Sequence, residues 1–316
     1  MSINISEILS YLSSAMQAEV YNDNKNLHEQ ALVGFSTHDK SSENTIVWSN
    51  SIDLDIESIK APLLIINDEI KIPEASNLIV AVVNDPRLAF AKISEKFFKN
   101  SPDPIIHKTA FIHESCDLGK GVSIGPYCVV GENTKIGEGT ILQNHVTVYR
   151  DVEIGTNCVL KSCAVVGEEG FGVARDDDEA LVKMHHSGTV IIGDNVELGS
   201  NSTTCRGTIN NTIIEDGVKS DDHVHLAHNC HIGRNVAITA GVVVCGSVKI
   251  QENCWLGVNS SILEGVNLAK NTTVGIGCVV LRDTEPDSVY VGTVSYTHLR
   301  AHETREDLVC RLLLEK

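Results

Sequence analysis

The chain has 316 residues, of which 42% are hydrophobic but only 4% aromatic, and it carries a net charge of −17. So acidic a chain lacks the basic footprint that nucleic acid requires, so no nucleic-acid partner is expected. No apolar run approaches bilayer-spanning length, no secretory signal precedes the fold, and the ten cysteines form no Cys-x-x-Cys pair; a reducing cytoplasm without a transmembrane segment is the expected setting.

Residues 1–100 read as a small α/β domain. Residues 6–16 predict a short helix with Ser6 as N-cap and Ile8, Leu9, Leu12 and Met16 on one face. Apolar runs at 46–48, 63–66 and 78–83 predict strands. Asn84-Asp85-Pro86-Arg87 then predicts a turn into a helix over 88–98, and Ser101-Pro102-Asp103-Pro104 a linker over 101–104.

From Ile106 onward a branched aliphatic recurs at every sixth position, through Ile112, Leu118, Ile124 and Val130 to Val166. The beat returns at Ile192 and Leu198, then runs from Ile214 to Val280 with only Ser220 breaking it. Two residues earlier stands a small or β-branched side chain: Val122, Cys128, Thr134, Thr140, Val146, Val152, Cys158, Ala164. This period fits neither an amphipathic helix nor a simple alternating strand. It fits a parallel β-helix over 105–293, three hexads to a triangular coil. Strand alternation then points the aliphatic and the residue two before it inward. The Gly, Asp or Ala that often follows the aliphatic is expected at a corner with unusual dihedrals. Cys116, Cys128, Cys158, Cys230, Cys254 and Cys278 fall on the inward position, where Cys acts as a small hydrophobe.

Residues 167–188 leave the register as a loop. It contains Gly170-Phe171-Gly172 and the acidic run Asp176-Asp177-Asp178-Glu179, read as a solvated tip. A smaller slip lies at 206–211. Just beyond it gather Asp221, Asp222, His223, His225, His228, Asn229 and His231. His225 and His231 each precede an aliphatic by one residue, so each is expected to point outward from a different face. His228, two after Leu226, falls at a corner, where it would serve a site between neighbouring subunits. An imidazole there can take a proton from an amine or hydroxyl attacking a thioester, and a carboxylate such as Asp221 can orient it.

Over residues 3 to 293 the chain resembles the N-acyltransferases of lipid A biosynthesis that acylate UDP-3-O-(3-hydroxyacyl)glucosamine. The resemblance rests on the run Asn84 to Lys92, the segment Val165 to Ala174 with its Gly-Phe-Gly, Val190-Ile191-Ile192-Gly193-Asp194, and above all Leu226-Ala227-His228-Asn229. It implies a left-handed parallel β-helix behind a nucleotide-sugar-binding-like domain. It also implies that His228 is the general base, taking the proton of the sugar 2-amine as the amine attacks a 3-hydroxyacyl thioester on acyl carrier protein. By the same resemblance Asp221 orients the base, and Asp222, His225, Trp48, Asn50, Phe171 and Gly172 contact substrate. The Gly246 N–H, one coil along, is a candidate oxyanion donor. No metal or resident cofactor is implied, since the carrier's phosphopantetheine thioester is a co-substrate, and the implied assembly is a homotrimer with active sites between protomers.

Several positions depart from the family's pattern. Thr45-Ile46-Val47-Trp48-Ser49-Asn50-Ser51 carries one aromatic where the uridine-binding segment has two, Asp222 stands where Asn is common, and Cys205-Arg206-Gly207 replaces Asp-Arg-Gly. Such drift suits a relative that acylates another nucleotide-linked amino sugar. From Val294 the sequence resembles a translated sequencing-adaptor tail, and 294–316 are expected to lie outside the fold. Two further readings fit the spacing: a γ-carbonic-anhydrase-like metal enzyme using His186, His223 and His228, and a non-catalytic nucleotide-sugar-binding scaffold.

Overall fold

A computed structural model describes residues 3–72, 78–99 and 103–292, together with the backbone of 298–300. Residues 101 and 102 of the expected linker, Thr293 at the solenoid's expected end, and the 294–316 segment apart from that backbone lie outside the described residues. The chain divides into two compact units, Met1–Pro102 and Asp103–Lys316.

The first unit runs β1 (Ile3–Asn4), α1 (Ile5–Met16), β2 (Glu19–Tyr21), β3 (Ala31–Leu32), β4 (Gly34–Phe35), β5 (Thr45–Trp48), β6 (Leu63–Ile66), β7 (Ile79–Val82) and α2 (Pro86–Ile93). Its sheet has the order β2-β7-β6-β5-β4, parallel except for β2. Every residue of β6 is buried, as expected of a central strand covered on both faces. Ile46, Leu63, Ile65 and Ile79 pack with the helices, and Val47, Leu64, Ile66 and Val80 fill the opposite side.

Helix α1 starts at Ile5, one turn position ahead of expectation, so Ser6 is not its cap. Asn4 takes that place without a side-chain bond. The first amides do not need one, because Ile5 N donates to Gln30 O and Ser6 N to His28 O. The second helix follows the local chemistry closely. Asp85 caps it by accepting from Leu88 N at 2.9 Å, and Pro86 occupies its first turn. Its end widens into a π turn over Ser94–Phe98.

The second unit is a parallel solenoid whose three faces are sheets of ten, nine and eight strands, the tenth being the backbone of 298–300, which pairs antiparallel with Ser288–Tyr290 although 294–316 was expected to lie outside the fold. Strands stack on the residue eighteen positions on, as Lys135 on Glu153 and Ile136 on Ile154. The inward pairs form one continuous core from Val122 to Val280. Ser220, the polar break in the run, is also buried; its Oγ accepts from Gly199 N at 3.0 Å, so the inward hydroxyl is satisfied. Cys128, Cys158, Cys230, Cys254 and Cys278 are buried free thiols, whereas Cys116, in the first coil, is only partly covered.

The corners correct one expectation. Left-handed backbone falls three residues after the aliphatic, at Tyr127, Asn133, His145, Asp151, Asn157 and their equivalents, all with φ near 60°. Asn dominates these positions because its side chain tolerates that region. The glycine directly after the aliphatic answers a different need: a Cβ on Gly125 would stand 2.7 Å from Gln143 O in the next coil. There glycine permits close stacking rather than an unusual dihedral.

Candidate active site

Insertion of a hairpin shapes the site. The strand at Val165–Glu169 overshoots its hexad, and the chain leaves the solenoid as an antiparallel pair, Val173–Arg175 with Leu181–Lys183. The acidic run forms the exposed tip, where Asp176 Oδ1 accepts from Asp178 N and Ala180 N. The slip at 206–211 is its structural answer. The strand Thr203–Arg206 is lengthened to pair with the overshoot across a bulge between Val166 and Glu168. Arg206, buried, donates from Nε to Gly167 O at 2.6 Å and from Nη2 to Arg150 O at 2.7 Å. It satisfies carbonyls at the departure point, and burial lowers its pKa. Beside it, Tyr149, Arg150, Gly167, Glu168 and Glu169 line a groove of about 500 Å³.

The returning hairpin lays His186 against His228. Their rings meet edge to face at 72° with centroids 5.3 Å apart. His228 lies at the corner after the His225–Leu226 strand, partly buried. Its Nδ1 is 3.0 Å from Asn229 Oδ1. The amide's orientation is set independently: Nδ2 donates to Asn210 O, while Oδ1 accepts from Thr208 N and Thr208 Oγ1. An oxygen facing Nδ1 requires the proton to be on Nδ1, which leaves Nε2 with its lone pair free to accept. Asn229 itself occupies the left-handed corner, φ 62°.

Glycines make room for both rings. A Cβ on Gly246 would stand 2.6 Å from His228 Cε1 and 2.9 Å from Nε2. A Cβ on Gly170 would stand 3.0 Å from His228 Cδ2 and 3.1 Å from His186 Nε2, and one on Gly172 3.1 Å from His186 Cε1. The Gly-Phe-Gly sequence is thus a lid of bare backbone over two imidazoles, with Phe171 between its glycines 83% exposed.

The expected site residues divide into two groups. His228 and Gly246 converge, and Gly172 lies against His186, whose ring packs on His228, with Phe171 on the covering segment. His225 stands on the adjoining face, its Nδ1 2.6 Å from Thr203 Oγ1; burial, then the charge of His228, lowers its pKa. His231 points from the next face to Glu215 at 2.8 Å, as its spacing implied. Asp221 and Asp222 lie at the preceding corner. Asp221 Oδ1 accepts from Asp222 N, and Asp222 Oδ1 accepts from Ser200 N at 2.7 Å. Within this chain, then, it is Asn229 and not Asp221 that holds His228, because the two corners are separated by a full strand. His223 is the left-handed residue of that same corner, φ 60°. It does not join His186 and His228, and among the described residues no three His, Cys, Asp or Glu side chains gather to hold a metal. In the first unit Trp48 stacks on Phe90 at 5.4 Å and 17°, with Phe35 edge-on to Phe90, so one indole face is occupied by the domain's own core. Asn50 is exposed just past β5.

Comparison with known proteins completes this picture. Residues 133–168 match the bacterial transferase hexapeptide (six repeats) model, and 189–219 and 247–282 match the hexapeptide repeat of succinyl-transferase. The UDP-3-O-acylglucosamine N-acyltransferase of Coxiella burnetii is 32% identical over 311 residues, covering 92% of this chain and 90% of its own. The chain belongs to the UDP-3-O-acylglucosamine N-acyltransferase family. A second member of that family, from Pseudomonas savastanoi, is 37% identical over 233 residues, covering 67% of this chain and 66% of its own. Among solved structures, LpxA from Acinetobacter baumannii is 28% identical with a TM-score of 0.55, covering 59% of this chain and 70% of that one. The UDP-N-acetylglucosamine acyltransferase of Francisella novicida is 25% identical with a TM-score of 0.56, covering 66% and 73%. As a member of the UDP-3-O-acylglucosamine N-acyltransferase family the protein is an acyltransferase built on a left-handed β-helix.

Proposed function

We propose that this protein transfers a 3-hydroxyacyl chain from acyl carrier protein to the 2-amine of UDP-3-O-acylglucosamine, a step of lipid A biosynthesis, with His228 as general base. The single observation that supports the assignment is the 3.0 Å contact of His228 Nδ1 with Asn229 Oδ1, an oxygen whose orientation Thr208 sets; from it we assign the proton to Nδ1 and the acceptor role to Nε2. The amine nitrogen attacks the thioester carbonyl carbon, and its proton passes to Nε2. The tetrahedral oxyanion is stabilised by the Gly246 N–H, beside the imidazole. The C–S bond then breaks, and the phosphopantetheine thiolate leaves with the proton returned from His228. Asn229 Oδ1 stabilises the intermediate imidazolium through the Nδ1–H bond, a charge-assisted interaction stronger than its neutral form.

His228 lies at an outer corner of the solenoid, half-buried, which supports a homotrimer in which a neighbouring protomer completes the site. Asp221, Asp222 and His225 would then contribute to ligand contacts from the wall of that closed site. Among the described residues no helix is long and apolar enough to cross a membrane, in keeping with a cytoplasmic enzyme meeting a carrier-bound donor.

Mass spectrometry of products tests the reaction directly, using the purified protein with UDP-3-O-acylglucosamine and either acyl-carrier-protein or coenzyme A 3-hydroxyacyl thioesters. The expected product gains one 3-hydroxyacyl group on nitrogen, with the carrier-protein thioester the better donor. Acylation of only a different UDP-amino sugar, or of none, would overturn the acceptor assignment. Light scattering should show a trimer; a stable, fully active monomer would overturn the shared-site reading.

A further inference from the structure

Among the described residues three buried side chains, Asn67, His186 and Ser260, carry a polar atom without a hydrogen-bond partner, and of these His186 lies against the candidate base His228. His186 is 2% exposed, and its Nδ1 lies 3.0 Å from Met184 O, an acceptor only, so Nδ1 carries the proton. Nε2 therefore presents a lone pair, and among the described residues that atom is buried with no hydrogen-bond partner. A buried acceptor left unmatched is costly and uncommon, and such groups mark places where a ligand supplies the missing donor. This lone pair does not point into packing at random. Nε2 and the Cδ2 edge of His228 flank the same point above Gly170, at 3.1 and 3.0 Å from where a Cβ would stand. Gly170 leaves that point free of any side chain, and Gly172 does the same on the other side of the ring.

We propose that His186 is a second histidine of the acylation centre, a specificity-determining residue whose Nε2 accepts a hydrogen bond from the acceptor amino sugar. A neutral primary amine has two N–H donors and one lone pair. If one N–H meets His228 Nε2 and the other N–H, or the neighbouring sugar hydroxyl, meets His186 Nε2, the amine lone pair is aimed at the thioester carbonyl. Two fixed acceptors define that direction; one leaves the nitrogen free to rotate. The inference rests on the acylation reading of His228 given above.

The test compares His186→Leu, which fills the site without an acceptor, with His186→Gln, whose amide oxygen reaches the region of Nε2. Steady-state kinetics on the full-length protein should show the KM for UDP-3-O-acylglucosamine rising roughly three- to tenfold in His186→Leu, the weight of one hydrogen bond to a neutral donor. The KM for the acyl thioester should not move. His186→Gln should recover most of the loss, and thermal melting should show both variants folded. Calorimetric binding of UDP-3-O-acylglucosamine should fall by the same factor. Unchanged acceptor KM and affinity in folded His186→Leu would overturn the proposal. So would equal loss in His186→Leu and His186→Gln, which would make the ring's role one of packing. The two readings separate cleanly. If His228→Ala stays active, the acylation centre itself is misplaced; if His228→Ala is dead while His186→Leu is unchanged, only the role of His186 fails.

Discussion

At the scale of single residues, the site depends on how backbone and amide groups fix one imidazole. Asn229 does two things at once, holding the left-handed corner and accepting the Nδ1 proton of His228. Asn229→Gly keeps the backbone freedom and removes the carboxamide. Loss of a hydrogen bond to a developing imidazolium is worth about 1.5–3 kcal/mol, so turnover should fall roughly 10- to 100-fold, while the lost bonds to Thr208 and Asn210 lower the melting temperature of a protein that still folds. Equal turnover in kinetic assays would show that Asn229 does not matter to the base. Gly246→Ala tests the space beneath the ring. Its Cβ would stand 2.6 Å from His228 Cε1, and the side chain is what must yield. The expected outcome is a folded solenoid, by circular dichroism, with a displaced imidazole and more than tenfold lower turnover. The sequence pointed to His228 through its Ala-His-Asn context and corner position, and to Gly246 through its distance of one coil. It offered His186 only as a metal ligand beside His223 and His228, and it did not give Thr208. Both lie in stretches that leave the six-residue period, so no count of hexads places them.

At the scale of elements, the hairpin and the slip that follows it are one device. The overshooting strand at Val165–Glu169 is matched by the lengthened Thr203–Arg206, and the buried Arg206 guanidinium ties down Gly167 O and Arg150 O at the exit. Arg206→Ala leaves those carbonyls unmatched and should cost about 1.5–3 kcal/mol for each charged hydrogen bond, measured as a shift in urea midpoint. An unchanged midpoint would contradict the role. The two departures from period were visible in the sequence as an insertion and a slip. That they compensate each other was not, because strand pairing between them is a relation across one coil. The capped helix α2 was legible from Asp85 and Pro86, whereas α1 starts early because backbone carbonyls of Gln30 and His28, distant in sequence, receive its first amides. Lys183 and then His185 hold the Glu169 carboxyl down, at about 2, at the root of the same hairpin. A carboxyl held low stabilises the fold above the ordinary Glu range, and that contribution is lost as pH falls towards about 2.

At the scale of the whole molecule, the prism's period fixes what is inside, and its interior is filled by small hydrophobes, cysteine among them. Burial raises the thiols of Cys230 to about 12 and Cys254 to about 11, so thiolate is scarce there at neutral pH. Cys128, Cys158, Cys230 and Cys254 should resist a bulky maleimide in the folded protein and react on unfolding, and replacing one with Leu should cost about 1–3 kcal/mol by overpacking. Labelling at the denatured rate would contradict the inward placement. Acid should also weaken the fold. Burial, with His228 adding to it, holds His225 below its ordinary value, so the unfolded chain binds more protons than the folded one as pH drops. Stability is therefore full above the ordinary His range and declines from about 6.5 downwards; His225→Gln should remove that part of the slope in urea titrations between neutral and mildly acidic pH. The account turns on His228, and single-turnover acylation of UDP-3-O-acylglucosamine by native protein and His228→Ala tests it most directly. A general base contributes about 10²- to 10⁴-fold, so the variant should be slower by that factor, with acceptor affinity falling no more than the roughly three- to tenfold of one hydrogen bond. Near-normal rates in His228→Ala would place the base elsewhere.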